Sequence, residues 1–209
     1  MIIPGILEKN WEDIEGKLEI LKKFSKTAHI DFIDGKFASN TTFLDSKPFQ
    51  KYSNELFLEA HLMVDNPLEY LESLATAGFR RFLGHIEKMP DITEFVARGQ
   101  LIGEVGLAVD LETNIDKISV PFDDLDEILL MGVKAGASGQ PFQPQVLNKI
   151  KKLREVTFIP IEVDGGVNDK TILDIKKAGA DRFIATSFLF QKGDPAKNYQ
   201  SLLKLTNLE

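Results

Sequence analysis

Residues 178–185 read AGADRFIA, and residues 77–84, 101 positions earlier, read AGFRRFLG. In both copies a glycine stands where a helix would end in a left-handed residue, and a short apolar run typical of a buried strand follows it. Taken alone, the similarity is also what any two helix-to-strand loops would show. The spacing supports a true repeat. Eight strand–helix units in a chain of 209 residues would have about 26 residues each, and 101 residues is close to four such units.

Short apolar runs alternate with segments of helical period along the whole chain. The runs that we predict to be strands are residues 2–7, 28–33, 56–64, 80–85, 102–109, 127–133, 158–163 and 182–185. Apolar residues at helical spacing follow the first run at Trp11, Ile14, Leu18 and Leu21. A doubly wound open sheet is the competing architecture, but it usually has a glycine-rich first loop, and Gly5 stands alone there. We therefore predict an α/β fold with a single domain over residues 1–209, a (β/α)8 TIM barrel.

The composition excludes several classes of protein. The chain has 25 Lys and Arg against 32 Asp and Glu, a net charge of −7, which argues against a nucleic-acid partner. The sequence contains no cysteine, so disulfides, thiolate metal sites and cysteine nucleophiles are excluded. The sequence has no basic leader and no stretch of about 18 apolar residues, so we expect no signal peptide, no membrane partner and a cytoplasmic location.

The three histidines, His29, His61 and His85, each fall in or at the end of a predicted strand. His29 and Asp31 face the same side of their strand, and because barrel interiors usually hold Val, Ile and Leu, an inward pair of this kind needs polar partners. His61 and Asp164 could supply them, and two imidazoles with two carboxylates are a plausible ligand set for Zn²⁺ or another divalent transition metal. The two aspartates could equally form salt bridges or cap loops, and the spacing alone does not decide. His85, followed by a glutamate two residues later, is a candidate for support of the site or for simple strand-end packing.

Small residues form a second pattern after the last three predicted strands. Glycines and hydroxyl side chains let backbone N–H groups approach an anion, and the loops after the last two strands hold phosphate in many barrels. We therefore predict a phosphate site at these loops. Its candidate residues are Gly136, Ser138, Gly139, Gln140, Gly165, Gly166, Thr186 and Ser187.

From residue 4 to about residue 190 the sequence resembles the ribulose-phosphate 3-epimerases, a family of small phosphate-binding barrels. HIDFIDG at residues 29–35 is similar to the family's H-x-D-x-M-D-G motif, and HLMV at residues 61–64 is similar to its H-L-M-V motif. LLM at residues 129–131 resembles the family's sixth strand, and EVDGGVN at residues 162–168 resembles its seventh. The resemblance implies a barrel of the ribulose-phosphate-binding type.

The resemblance also implies an enzyme of the isomerase class, a metal-dependent 3-epimerase that interconverts D-ribulose 5-phosphate and D-xylulose 5-phosphate through a 2,3-enediolate. The family's metal ligands fall on His29, Asp31, His61 and Asp164, and its acid–base pair falls on the two aspartates. It implies one divalent metal ion per subunit, Zn²⁺ first and Fe²⁺, Mn²⁺ or Co²⁺ otherwise, and a homo-oligomer that takes a small-molecule ketose phosphate. Besides the loop residues above, we expect substrate contacts from Gly5, His61, Met63, Met131 and Lys134.

Several positions depart from the family pattern. Gly5 stands where the family usually has a serine, Ile33 replaces a methionine, and Thr186 replaces a glycine of the phosphate-binding loops. Residues 132–135 differ from the usual S-x-N-P sequence. Within that segment, Lys134 either contacts the phosphate or sugar hydroxyls or points to solvent. These departures affect substrate binding more than the metal ligands.

Three other functions stay open at this stage. The same chemistry on another ketose phosphate, such as D-allulose 6-phosphate, is compatible with the changed loop residues. Decarboxylation or aldol chemistry on this fold uses a strand-borne lysine among aspartates, whereas residues 29–31 read HID. A non-catalytic barrel that binds a sugar phosphate would leave a costly set of polar core residues without a role.

Overall fold

The computed structural model describes residues 1–191 and 193–207, and the eight strands among these residues run parallel and close into a barrel in chain order. The strands are β1 (Ile2–Ile6), β2 (Thr27–Ile33), β3 (Phe57–Met63), β4 (Phe79–His85), β5 (Glu104–Val109), β6 (Glu127–Met131), β7 (Ile161–Asp164) and β8 (Arg182–Ala185). The α-helices are α1 (Trp11–Leu21), α2 (Leu71–Thr76), α3 (Ile92–Gln100), α4 (Val146–Val156), α5 (Ile172–Ala178), α6 (Ser187–Phe190) and α7 (Pro195–Asn207). Short 3-10 helices lie at Lys47–Tyr52, Pro67–Tyr70, Ile115–Lys117 and Phe122–Asp124. The predicted TIM barrel is confirmed.

The bounds of several helices follow from their terminal residues. At the start of α1, the Asn10 side chain accepts the backbone N–H of Asp13 at 3.0 Å. The helix α1 buries three residues of the predicted stripe, Ile14, Leu18 and Leu21. The helix α5 ends at Gly179 with φ = +116°, and Gly78 after α2 has φ = +90°, as the repeated sequence predicts. Among the described residues, no helix combines the length and hydropathy needed to cross a bilayer.

Three strands have a bound that differs from the sequence prediction by two residues or more. The strand β7 starts at residue 161 and not at 158, because Pro160 has no N–H for the ladder and Phe158 is 94% exposed. The strand β5 starts at residue 104, because the Ile102 N–H donates to the carbonyl of Gly99 and still belongs to the turn after α3. The strand β6 ends at Met131, two residues before the predicted end.

The half of the barrel interior nearer the N-terminal ends of the strands contains charged side chains, where Val, Ile and Leu were expected. Glu59, Glu127 and Glu162 are 0% exposed, and Arg81 is 4% exposed. The charges of Glu59 and Glu127 are tolerated here because each pairs with an arginine: Arg81 donates to Glu59, and Arg182 donates to Glu127. Burial, and then the charge of Glu59, raise the pKa of Glu162 well above its usual range, which favours its neutral form. The candidate site therefore lies above a polar floor and not above an apolar core.

Candidate active site

Four polar side chains meet at the C-terminal ends of β2, β3 and β7. Register pairs Asp31 on β2 with His61 on β3, and His29 precedes Asp31 by two residues on the same face. Asp164 is the last residue of β7. All four are buried, and one possible ligand atom from each lies within 4.8 Å of the others. The structure therefore brings together the four residues that the sequence analysis proposed as ligands.

The distances in this cluster are those of groups that share protons or a cation. His61 Nδ1 lies 2.8 Å from Asp31 Oδ1 and 3.6 Å from Asp164 Oδ2. His29 Nε2 lies 3.2 Å from His61 Nδ1 and 3.4 Å from Asp31 Oδ1. Two ring nitrogens at this separation need a proton or a cation between them, because both carry lone pairs otherwise. Two imidazole nitrogens and two carboxylate oxygens are donors that divalent transition metals accept, so the residues fit such an ion.

The environment shifts the pKa values of the two aspartates in opposite directions. Burial raises the pKa of Asp31, but the neighbouring His29 and His61 rings outweigh it and hold the pKa well below its usual range. Burial, and then the charge of Asp31, raise the pKa of Asp164 above its usual range. The two carboxyl groups are thus biased toward opposite protonation states, which is typical of acid–base pairs.

A glutamate that the sequence analysis missed holds one of the histidines. Glu59 Oε1 lies 2.5 Å from His29 Nδ1, on the side of the ring that faces away from Asp31. Glu59 and His61 are two residues apart on β3, so the alternation of side chains could have indicated this neighbour. The outer nitrogen of a metal-binding histidine usually has such a carboxylate partner. His85, which the sequence left between support and packing, lies 3.0 Å from His61 through its Nε2.

A cavity opens above the four-residue cluster, at Asp31 and Asp164. Of the residues expected at the substrate, those that line it are Asp31, Met63, Met131, Gly136, Ser138, Gly139, Asp164, Gly165, Gly166, Thr186 and Ser187. Four other expected residues, Gly5, His61, Lys134 and Gln140, lie outside this lining. None of the described residues that line the cavity is Lys or Arg. An anion there would be held by backbone N–H groups and hydroxyls.

Two of the departures from the family pattern are neighbours in space. A Cβ atom on Gly5 would overlap the hydroxyl oxygen of Thr186 and lie 2.8 Å from Cγ2 of Ile184. Thr186 lines the cavity, whereas Gly5 is buried in β1 and does not. Gly5 therefore acts by leaving room for the Thr186 side chain.

The loop after β6 places its polar side chains in two ways. Gln140 Nε2 donates to the carbonyls of Lys134 at 2.7 Å and Ala137 at 2.9 Å, so this side chain fixes the shape of the loop. Lys134 is exposed and lines a different hollow with Glu87 and Asp110. The positive φ angles of Gly136 and Gly139 let the chain turn back toward the cavity.

The sequence matches the family model described as the ribulose-phosphate 3 epimerase family over residues 1–190. It is 35% identical over 173 residues to a Chlamydia trachomatis serovar D protein named ribulose-phosphate 3-epimerase, covering 78% of this chain and 74% of the relative. A Bacillus subtilis strain 168 protein with the same name is 32% identical over 209 residues, covering 94% of each chain. A solved structure of KGPDC from Streptococcus mutans has a TM-score of 0.73 at 12% identity, covering 98% of this chain and 95% of that chain. This last likeness concerns the fold alone.

Proposed function

The chain belongs to the ribulose-phosphate 3-epimerase family, and from this membership we propose that it is a metal-dependent enzyme interconverting D-ribulose 5-phosphate and D-xylulose 5-phosphate. One observation carries the proposal. Asp31 and Asp164 converge with His29 and His61 on the floor of a cavity whose rim is built from glycine and hydroxyl residues. The family supplies the reaction class, that of the isomerases, and the cluster supplies groups that can perform it.

The two aspartates act as the acid–base pair in this proposal. Inverting carbon 3 of a 2-ketose requires removal of the proton next to the carbonyl on one face and delivery of a proton to the other face. One carboxyl group cannot serve both faces, so two are needed. The opposite pKa shifts support this division, because they bias Asp31 toward the form that accepts a proton and Asp164 toward the form that donates one.

The metal ligands in this proposal are His29, Asp31, His61 and Asp164. A bound divalent ion, Zn²⁺ first with Fe²⁺, Mn²⁺ or Co²⁺ as alternatives, would supply Lewis-acid stabilisation of negative charge on the substrate oxygens. Glu59 holds the His29 ring by its outer nitrogen, which orients the other nitrogen toward the site.

The substrate phosphate binds in the proposal at the loops after β6, β7 and β8. Gly165 and Gly166 line the cavity with φ angles of +103° and +72°, which few residues other than glycine adopt, and the lack of a side chain leaves their backbone open to an anion. Ser187 and Thr186 add hydroxyl donors to the same wall. Met63 and Met131 form an apolar, polarisable wall beside the reacting carbons. A phosphate contact of Lys134 stays a prediction.

An exchange experiment tests the two-carboxyl mechanism. In D2O the protein should convert each pentulose phosphate into its epimer with one deuterium at carbon 3. Asp31→Asn and Asp164→Asn should each abolish epimerisation, and each should retain at most proton exchange on one of the two epimers. Epimerisation at the wild-type rate in either variant would contradict the proposal. Parallel assays with D-allulose 6-phosphate decide between the two ketose phosphates that the loop departures leave open.

The chain also forms a single domain in this proposal. A single domain over residues 1–209 is supported by the closure of β8 onto β1 through Ile2 and Phe183. The homo-oligomeric state and the cytoplasmic location stay predictions.

A further inference from the structure

A line of hydrogen-bonding groups runs from the candidate site to a carboxylate outside the cluster. His61 Nε2 lies 3.0 Å from His85 Nε2, and His85 Nδ1 lies 2.9 Å from Glu87 Oε2. The other carboxylate oxygen, Glu87 Oε1, accepts the backbone N–H of Asp110 at 2.8 Å. Both histidine rings are 0% exposed. Water therefore does not compete for their nitrogens, and the protons on this line are set by its members.

Counting donors and acceptors fixes where those protons lie. A neutral imidazole has one N–H donor and one acceptor nitrogen, and an ionised carboxylate only accepts. Burial raises the pKa of Glu87, but hydrogen bonds from His85 and the Asp110 backbone outweigh it and lower the pKa to about 2. Because the ionised Glu87 only accepts, His85 Nδ1 must carry a proton, and His85 Nε2 is then an acceptor. His61 must donate its Nε2–H to it, which leaves a lone pair on Nδ1.

The opposite arrangement would be favoured without this line. Asp31 Oδ1 is 2.8 Å from His61 Nδ1, and a carboxylate at that distance attracts a proton to Nδ1. A metal ion needs the lone pair of that nitrogen, so a neutral ring with its proton on Nδ1 cannot be a ligand there. Asp31 and Glu87, the carboxylates at the two ends of the line, therefore favour opposite tautomers of His61.

We propose that Glu87 is a positioning residue that sets the tautomer of His61 through His85, so that His61 offers Nδ1 to a divalent cation. The inference rests on the metal site of the proposed function and adds to it. It also accounts for the different nitrogens that the two histidines present. His29 faces the site with Nε2 because Glu59 takes its Nδ1, whereas His61 faces the site with Nδ1 because the Glu87 line takes its Nε2.

The competing explanation for His85 is packing alone. Its ring lies 4.6 Å from the Phe37 ring at an interplanar angle of 44°, and stacks on the His61 ring at 5.1 Å and 27°. Any flat ring would satisfy these contacts. A useful test must change the protons while it leaves the shape in place.

The substitution Glu87→Gln does so. The Asp110 N–H is a fixed donor, so the oxygen of the new amide must face it, and the amide NH2 must then face His85 Nδ1. Two donors cannot face each other, so His85 must move its proton to Nε2. His61 Nε2 then has to accept, and the ring carries its proton on Nδ1, where it blocks the metal. Glu112→Gln is the matched control, because it removes an equal charge from an exposed residue two positions after Asp110.

The experiment combines ¹⁵N NMR of histidine rings with a Zn²⁺ competition assay against a chromophoric chelator. The chain has three histidines, so ¹⁵N-histidine labelling gives three ring patterns to assign. We expect His85 to be protonated on Nδ1 in the wild type and on Nε2 in Glu87→Gln, with a loss of Zn²⁺ affinity of about 10–100-fold. Glu112→Gln should match the wild type in both measurements. His85→Phe keeps a flat ring in place, and it should lose Zn²⁺ affinity to a similar extent.

Two results would overturn the inference. One is an unchanged His85 tautomer in Glu87→Gln, and the other is an unchanged Zn²⁺ affinity in both Glu87→Gln and His85→Phe, which would leave packing as the role of the ring. A wild-type protein without measurable Zn²⁺ affinity would instead contradict the metal of the proposed function. In that case the tautomer measurement still separates the two failures, since a shift of the His85 proton would show that the hydrogen-bond line exists.

Discussion

Replacing Arg81 by methionine should destabilise the barrel far more than the same change at the preceding residue. The Arg81 side chain is 5% exposed and pairs with Glu59, which is 0% exposed, and with Glu104 at 2.6 Å. Its Nε is 3.4 Å from Glu127, which is also 0% exposed. Methionine fills much of the volume but leaves two buried carboxylates without this cation. Removing one partner of a buried ion pair costs about 3–5 kcal/mol.

The neighbouring arginine provides the matched control. Arg80 is exposed and donates to the backbone carbonyl of Ser53 at 2.7 Å, so Arg80→Met should cost about 1 kcal/mol or less. In a domain of this size each kcal/mol lowers the melting temperature by about 2–4 °C, which predicts a loss of about 6–20 °C for Arg81→Met.

Differential scanning calorimetry and urea titration at pH 7 measure these effects. A melting temperature of Arg81→Met within 2 °C of that of Arg80→Met would refute the reasoning, since it would mean that the buried carboxylates do not depend on the guanidinium.

Three further outcomes follow from the same structure. The pKa of Glu87 is lowered to about 2, so its contribution to stability is complete above the unfolded-state pKa of about 4.3 and is lost as the pH falls through 4 toward 2. In urea titrations, wild type should be more stable than Glu87→Gln by up to about 3 kcal/mol at pH 7. This difference should shrink between pH 4 and pH 2. Gly5→Ser should destabilise the protein by about 1–3 kcal/mol, because the new side chain overlaps the Thr186 hydroxyl. Combining it with Thr186→Gly should remove most of that cost. An equal cost of Gly5→Ser with threonine and with glycine at position 186 would contradict the contact. Gly166→Ala should raise the KM for the pentulose phosphate without abolishing metal binding, because φ at this residue is +72° and a Cβ atom would lie 2.7 Å from Phe142. An unchanged KM in a steady-state assay would mean that this loop does not bind the phosphate.

The sequence was sufficient for the barrel because the signals that define it are local. Each strand is a short apolar run, and glycines such as Gly78 and Gly179 end helices in the conformation that their type permits. The cluster of His29, Asp31, His61 and Asp164 was also predictable, because residues at the C-terminal ends of parallel strands meet at one end of a barrel.

The parts that the sequence did not predict depend on pairing between distant residues. The sequence does not single out Glu59, because it is one charge within an apolar run, and its role depends on contacts with His29 and Arg81. The strand that was expected to begin at Phe158 begins three residues later, because apolar composition alone does not reveal that a side chain is exposed. The separation of Lys134 from the cavity follows from the fold of its loop, which Gln140 fixes.

The most direct test of the central claim is turnover of D-ribulose 5-phosphate by protein purified without chelator, then stripped of metal and reloaded with Zn²⁺. We expect epimerisation to D-xylulose 5-phosphate to disappear when the metal is stripped and to return with Zn²⁺. Asp31→Asn and Asp164→Asn should show no epimerisation after the same reloading. Turnover that survives complete removal of the metal, or reloaded protein that binds Zn²⁺ and epimerises no ketose phosphate, would contradict it.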